Sequence, residues 1–287
     1  MSDVLDYIKS NPQETQRLVG LKYEQLEQLI SEAIALHNKK QQDIEASKVR
    51  IINKGGGRKV KLPIEEQILL TLIYLRHFTT FQLLGIQFGV SESTANDTFN
   101  YWFPVLQELL PSSLIEQVKK NASDYEIVQE VLTEYELIVD SCEQARERPG
   151  EYKEQKKYYS GKKKNHTFKN QIIVLPEGQD IVDVIAGEPG PKSDITLFRS
   201  SNNGFNPHQK FKGDKGYEGE PSINTSMKKP RSSPDRVLYP EDFAKKGELT
   251  PSQKEQNKEL ASERIFVEHL IRVIKIFRIA SERFRLN

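Results

Sequence analysis

The spacing of apolar residues changes once along the chain, and that change limits the fold more than any other feature. Up to about residue 120 the apolar side chains recur at helical spacing, as in Leu18, Leu21, Leu26, Leu29 and Ile30 and again in Ile64, Ile68, Leu69, Leu72 and Ile73. Beyond it come short runs of strand type: ELIVD at 136–140, QIIVL at 171–175, IVDVI at 181–185 and KFKGD at 210–214. The PEGQD stretch at 176–180 separates the second and third runs as a hairpin turn would. With 287 residues the chain has room for about two domains. The expected class is therefore α/β, a helical N-terminal region followed by a mixed sheet.

Within the helical part, Pro63 opens a helix expected to end near His77. The stretch 79–103 then reads TTFQLLGIQFGVSESTANDTFNYWF. This is a short helix, a turn at Gly89 and Val90, and a second helix capped by Ser91, which is a helix-turn-helix pattern. Ala95, Phe99 and Trp102 fall at i, i+4 and i+7 and should pack inward, leaving Ser93, Thr94, Asn96, Asp97 and Asn100 outward. Thr94, Asn96 and Asn100 have side chains suited to reading base edges in a major groove. Glu92 and Asp97 would repel phosphates, and the same motif also serves purely structural roles.

Charge divides the candidate functions. Lys plus Arg number 42 against 41 Asp plus Glu, a net charge of +1, which excludes a uniformly basic nucleic-acid coat. The average hides three basic segments. Residues 54–61 (KGGGRKVK) carry +4, and residues 264–285 carry six bases against two acids. Residues 151–170 carry seven lysines against two glutamates, interleaved with Tyr152, Tyr158, Tyr159 and His166. The single Cys142 excludes an internal disulfide and a cysteine-based zinc cluster, and the five histidines lack metal-ligand spacing, so any bound metal must be held by carboxylates. No window is apolar for long enough to span a membrane and the start lacks a secretory pattern, so a cytoplasmic, nucleoid-associated protein is expected.

Carboxylates stand in suggestive places. Asp140 and Asp214 each close an apolar run, where ligand-binding side chains of an open sheet converge, although a turn or helix-cap role is the plainer reading of each. The box TPSQ at 250–253 starts a helix expected to run from about Ser252 toward Ala280. On it Arg264, Glu268, Arg272 and Lys275 form one stripe, and Val267, Leu270, Ile271, Ile274 and Phe277 form the apolar side. That stripe also reads simply as an exposed face with i, i+4 ion pairs. Two Asp and one Glu suit Mg²⁺, and two such ions about 3.5 to 4 Å apart support in-line phosphoryl displacement.

The tail resembles the signature of bacterial insertion-sequence DDE transposases, in the group with Tyr, two residues, Arg, three residues, Glu, six residues, Lys. Arg264, Glu268 and Lys275 keep that spacing, with Asn257 upstream and Ala261 at the Tyr position. LIVDSCEQARERP with YYSGKKKNHTFK is similar to the family's first catalytic strand and basic stretch, and FKGDKGYEG to the second. The family usually continues some tens of residues past this helix, so a shortened copy is one expectation.

The resemblance spans about 62–284. It implies a ribonuclease H-like core with Mg²⁺, or Mn²⁺ in its place, held by the catalytic acids Asp140, Asp214 and Glu268. It implies cleavage and strand transfer of double-stranded DNA at the element's terminal inverted repeats and target. Lys162, Lys163, Lys164, Lys169 and Lys275, and more weakly Arg264 and Arg272, would contact the DNA backbone, and cutting two ends together implies a dimer or larger. The expected division is a helical leader at 1–53, basic linker plus helix-turn-helix at 54–120, and the catalytic domain at 130–287. The competing readings are a domesticated or shortened transposase that only binds DNA, and a metal-dependent nuclease without transfer.

Overall fold

Six consecutive residues of one helix, Ile68 to Ile73, are buried, and a helix buried on every side must be surrounded. In the computed structural model this is α4 (Ile64–His77). Residues 3–47, 61–119, 121–177, 180–201, 204–226 and 249–285 are described; the expected linker, apart from Lys61, and the Pro- and Ser-rich loop at 228–240 lie outside them. Around α4 lie α1 (Asp3–Ser10), α2 (Thr15–Val19), α3 (Tyr23–Ser47), α5 (Phe81–Gln87) and α6 (Glu92–Leu109), which contribute Ile8, Val19, Leu29, Leu84, Trp102 and Leu106 to one core. The buried Trp102 indole donates to Gln67 Oε1 at 2.7 Å, and Gln67 Nε2 donates to the Leu62 carbonyl at 2.9 Å, so this polar group enters the core satisfied. Pro63 sits at the N-cap of α4 rather than inside its first turn, and Phe78 ends the helix in the left-handed conformation.

The helix-turn-helix forms as read. Thr80 caps α5 and Ser91 caps α6, each accepting a backbone N–H at 3.2 Å. Ala95 and Trp102 are buried, Phe99 is half-buried against Tyr74 at 4.5 Å between ring centroids, and Ser93, Thr94, Asp97 and Asn100 are exposed. Gly85, inside α5, is where the turn crosses the helix: a Cβ there would lie 2.7 Å from the Val90 carbonyl oxygen.

The second unit, Ser112–Val273 with Arg285–Asn287, is built on a sheet of β1 (Glu136–Ala145), β2 (Tyr159–Ser160), β3 (Asn165–Val174), β4 (Ile181–Pro189), β5 (Lys210–Gly213) and β6 (Ile223–Thr225). The principal order is β4-β3-β1-β5-β6, with β2 also pairing β3. β4, β3 and β1 pair antiparallel, while β1, β5 and β6 pair parallel. This is a ribonuclease H-like mixed sheet. The helices of this unit are α7 (Leu114–Val118), α8 (Ala122–Leu132), α9 (Tyr152–Tyr158), α10 (Asp194–Ser201), α11 (Pro251–Glu263) and α12 (Ile265–Lys275). Leu137, Val139, Ile173, Val182, Phe198, Phe211 and Tyr217 pack in one core on the sheet. Among the described residues no helix is long and apolar enough to cross a membrane.

Two boundaries differ from expectation. β1 does not end at Asp140 but runs to Ala145, because β3 pairs with it from Ile138 to Ala145 and supplies the ladder that the polar tail cannot signal. The single long helix is interrupted at Arg264, giving α11 and α12, and ends at Lys275, with a separate 3₁₀ turn at Arg278–Ala280. The start is as read, with Thr250 and Gln253 forming a capping box around Pro251.

An ordinary Gly to Ala change inside a helix adds about 1 kcal/mol of stability. Gly85→Ala is expected to do the opposite, costing about 1–3 kcal/mol because the methyl group must push the turn backbone away. Denaturant unfolding followed by circular dichroism decides the sign; a stabilised variant would refute the close approach.

Candidate active site

The parallel pairing of β1 and β5 sets the site. Glu136, Leu137 and Ile138 pair with Lys210, Phe211 and Lys212, an offset of 74 residues (210 − 136). Carried two residues past the last pair, the same offset puts Asp140 beside Asp214, since 140 + 74 = 214. Alternation along a strand gives Glu136, Ile138 and Asp140 one face, opposite Leu137 and Val139 in the core.

The junction of α11 and α12 meets that same face. Lys212 Nζ lies 2.7 Å from Glu263 and 3.2 Å from Glu136, and the next residue, Arg264, brings its guanidinium to 3.6 Å from Asp140 Oδ1. Burial opposes the charge of Lys212, but hydrogen bonds to Glu263 and Glu136 prevail and hold its pKa above the usual lysine value. Four residues after Arg264, one turn along the helix, stands the exposed Glu268. Of the two acids near the junction, Glu263 is taken up by Lys212, and Glu268 acts on Asp140.

Asp140 is the most perturbed acid of the group. Burial pushes its carboxyl up to about 6; Arg264 and the backbone N–H of Ser141 pull it down, and the carboxylates of Asp214 and Glu268 push it up. Three acids distant in sequence thus share one electrostatic environment. Arg264 is held there tightly, with its side chain 14% exposed and its Nε buried without a hydrogen-bond partner among the described residues.

Asp214 is also a turn acceptor, as its plainer reading allows: Oδ1 accepts the Gly216 N–H at 2.6 Å and caps a 3₁₀ turn at Lys215–Tyr217. Gly216 leaves room for two acids at once, since a Cβ there would lie 2.6 Å from Asp194 Oδ2 and 2.8 Å from Asp214 Oδ1. Sequence reading missed the support beneath. The buried Tyr217 hydroxyl meets Ser141 Oγ at 2.7 Å and accepts from Gln171 Nε2 at 3.0 Å, tying the strand beyond Asp140 to the turn after Asp214. The only sequence signal for this was the Tyr three residues past the acid.

The expected DNA contacts divide. Lys162, Lys163 and Lys164 stand exposed at the tip of the β2–β3 hairpin, and Arg272 and Lys275 are exposed on α12. Lys169 departs from expectation: it is buried in β3, its ammonium 2.9 Å from Asp194 and donating to the Lys192 carbonyl, so it faces the interior rather than a phosphate. Arg264 likewise faces Asp140. On α6, Thr94 and Asn100 are exposed and Asn96 is half-buried, accepting from Asn100 Nδ2 at 2.8 Å.

As they stand, no group of three or more His, Cys, Asp and Glu among the described residues is close enough to hold a metal ion. The donor set nevertheless fits a hard cation: it offers oxygen ligands only, and the Asp140 carboxyl is a largely buried oxygen donor on which the carboxylates of Asp214 and Glu268 also act.

The shift of Asp140 has a stability signature. Its folded value of about 6 lies above the ordinary 3.8, so folding is penalised once the carboxyl must ionise. In metal-free buffer, wild type should lose up to ~3 kcal/mol relative to Asp140→Asn as pH rises from about 4 to 7, the gap then staying flat. Paired denaturant titrations across that range measure it, and a gap independent of pH contradicts the burial penalty on the ionised Asp140 carboxyl.

Residues 139–287 match the family model described as DDE superfamily endonuclease, and residues 60–112 match the helix-turn-helix of DDE superfamily endonuclease. The chain is 33% identical over 236 residues to a Microchaete diplosiphon protein named probable transposase for insertion sequence element IS702, a match covering 81% of this chain and 77% of that one. No solved structure matches the chain. A helix-turn-helix followed by a mixed sheet with Asp140 and Asp214 just past its parallel β1–β5 pairing, together with these matches, makes the chain a member of the DDE superfamily endonucleases, among the insertion-sequence transposases.

Proposed function

We propose that the protein cuts double-stranded DNA at the terminal inverted repeats of an insertion sequence and joins the freed ends to target DNA. The observation that carries this reading is the meeting of Asp140, Asp214 and Glu268 in one electrostatic environment at the end of the parallel β1–β5 pair.

Endonucleases of this superfamily depend on a metal. In this reading the metal is Mg²⁺, or Mn²⁺ in its place, and Asp140, Asp214 and Glu268 hold it. When bound, it supplies polarisation of the scissile phosphate and stabilises charge on the attacking and leaving oxygens. The acids need no nucleophilic side chain among them. Water attacks phosphorus, the bond to the 3′ oxygen breaks, and the resulting 3′-hydroxyl then attacks a target phosphodiester and displaces the target strand's own 3′ oxygen. Arg264 balances Asp140, and a cation held by the carboxylates would take over that balance.

The remaining assignments follow the same division of labour. Residues 54–120 recognise the terminal repeats, with Thr94, Asn96 and Asn100 of α6 at the base edges. Residues 130–287 perform the chemistry, and 1–53 form a helical leader. Lys162, Lys163, Lys164, Arg272 and Lys275 meet phosphates, which fix register without reading sequence. Two ends are cut together by a dimer or larger assembly associated with the nucleoid.

Asp140→Asn, Asp214→Asn and Glu268→Gln should each abolish Mg²⁺-dependent nicking of end-containing DNA while leaving its binding within about twofold of wild type. A nicking gel with a parallel binding assay tests each residue, and any variant that still nicks removes that residue from the triad. Replacing Lys162, Lys163 and Lys164 together by Ala should flatten the plot of log affinity against log salt by up to ~3 in slope. An unchanged slope would take the hairpin tip away from the backbone.

A further inference from the structure

Below the lysine tip lies a pocket that the cleavage chemistry does not use. It is an open depression of about 380 Å³, within the size range of small-ligand pockets. Arg148, Tyr152, Gln155, Lys156, Tyr159 and His166 line it, five from the excursion between β1 and β3 and His166 from the start of β3.

Its walls are aromatic yet bare. Tyr152 is 79% exposed and Tyr159 48% exposed, large rings that gain little from packing in the free protein. The His166 ring meets Tyr159 edge-on at 5.5 Å between centroids, and burial with the nearby Arg148 and Arg146 holds its pKa below the usual histidine value. Gln155 fixes one wall, accepting from Arg148 Nη2 at 2.8 Å and donating to the Pro149 carbonyl at 2.9 Å. Behind the pocket the buried Arg146 guanidinium lies 4.0 Å from the Tyr158 ring centroid and 4.5 Å from that of Phe168, clamping α9 to β3. The exposed rings are therefore mounted on a braced support.

We propose that this pocket takes one unstacked nucleobase of a DNA strand, its faces against Tyr152 and Tyr159 and its flanking phosphates near Arg148 and Lys156. The occupant must be planar and apolar on its faces to suit the rings. It must also be anionic around them, because Arg148 and Lys156 line the pocket and the same stretch of chain carries the exposed lysines 153, 157, 162, 163 and 164. A nucleotide meets both demands, whereas an acidic peptide lacks the flat face. Bases inside a duplex are stacked on their neighbours, so the pocket selects DNA that is locally unpaired, as at a frayed or newly cut end. The proposal rests on the DNA-processing reading above and adds a strand-state preference to it.

The test uses the full chain and two probes: a blunt duplex, and the same duplex with a short unpaired 3′ tail carrying 2-aminopurine. Wild type should bind the tailed probe about tenfold more tightly than the blunt one, with the 2-aminopurine fluorescence quenched on binding. Combining Tyr152→Ala with Tyr159→Ala should erase both the preference and the quenching while leaving blunt-duplex affinity intact. Tyr152→Phe with Tyr159→Phe keeps the rings and should keep both. Equal binding of the two probes by wild type, or a preference that survives the double Ala change, overturns the nucleobase site while leaving the DNA-processing reading in place. Failure of wild type to bind either probe overturns both.

Discussion

Three parallel residue pairs between β1 and β5 support everything at the site. Leu137 and Phe211 are fully buried partners in that pairing, so the register is fastened by hydrophobic burial on one face and read out as acids on the other. A slip of one residue would turn Asp140 into the core and Leu137 toward the α11–α12 junction. The penalty of burying the Asp140 carboxyl beside Asp214 is carried by that apolar burial rather than by contacts within the site. The cost of the wrong register is carried by apolar side chains that take no part in chemistry.

Once the acids are brought together they must be tolerated without a cation. The protein does this by lending its own cations: Arg264 to Asp140, Lys212 to Glu136 and Glu263, and Lys169 to Asp194. These pairs are weak evidence of stabilisation, because desolvating both partners offsets much of their attraction. Their value lies in position. The Tyr217 hydroxyl, between Ser141 and Gln171, adds a neutral brace under both aspartates. The net charge of +1 is thus an average over a carboxylate-rich cleft and exposed lysines at a hairpin tip, and association with DNA depends on the local fields rather than on that average.

How far the sequence could be read followed the range of the forces involved. The helix-turn-helix was legible almost to the residue, because the Ser91 cap, the Gly89 turn and the Ala95/Trp102 spacing are local signals. The full length of β1 was not, since its second half is polar and only the β3 partner, distant in sequence, makes it a strand. The helix break at Arg264 was hidden for a similar reason, as no Pro or Gly marks it and the contacts of Glu263 and Arg264 come from the sheet. Lys169 counted as one more base in a basic run until the alternation of β3 turned it inward toward Asp194.

The sequence by itself determined the helical-to-strand change, the caps, the residues able to act as metal ligands and the signature spacing of Arg264, Glu268 and Lys275. Those properties depend on neighbours within a turn or two of chain, or on the chemistry of the side chain alone. Tertiary structure decided that Asp214 and Glu268 act on Asp140, that Arg264 and Lys169 pair with carboxylates, and that Tyr152 and Tyr159 stand bare beside a pocket. The physical reason is that burial and Coulomb forces act through space. Their partners lie 70 or more residues apart in the pairing of β1 with β5 and more than a hundred apart at Asp140 and Arg264, separations that no local periodicity encodes.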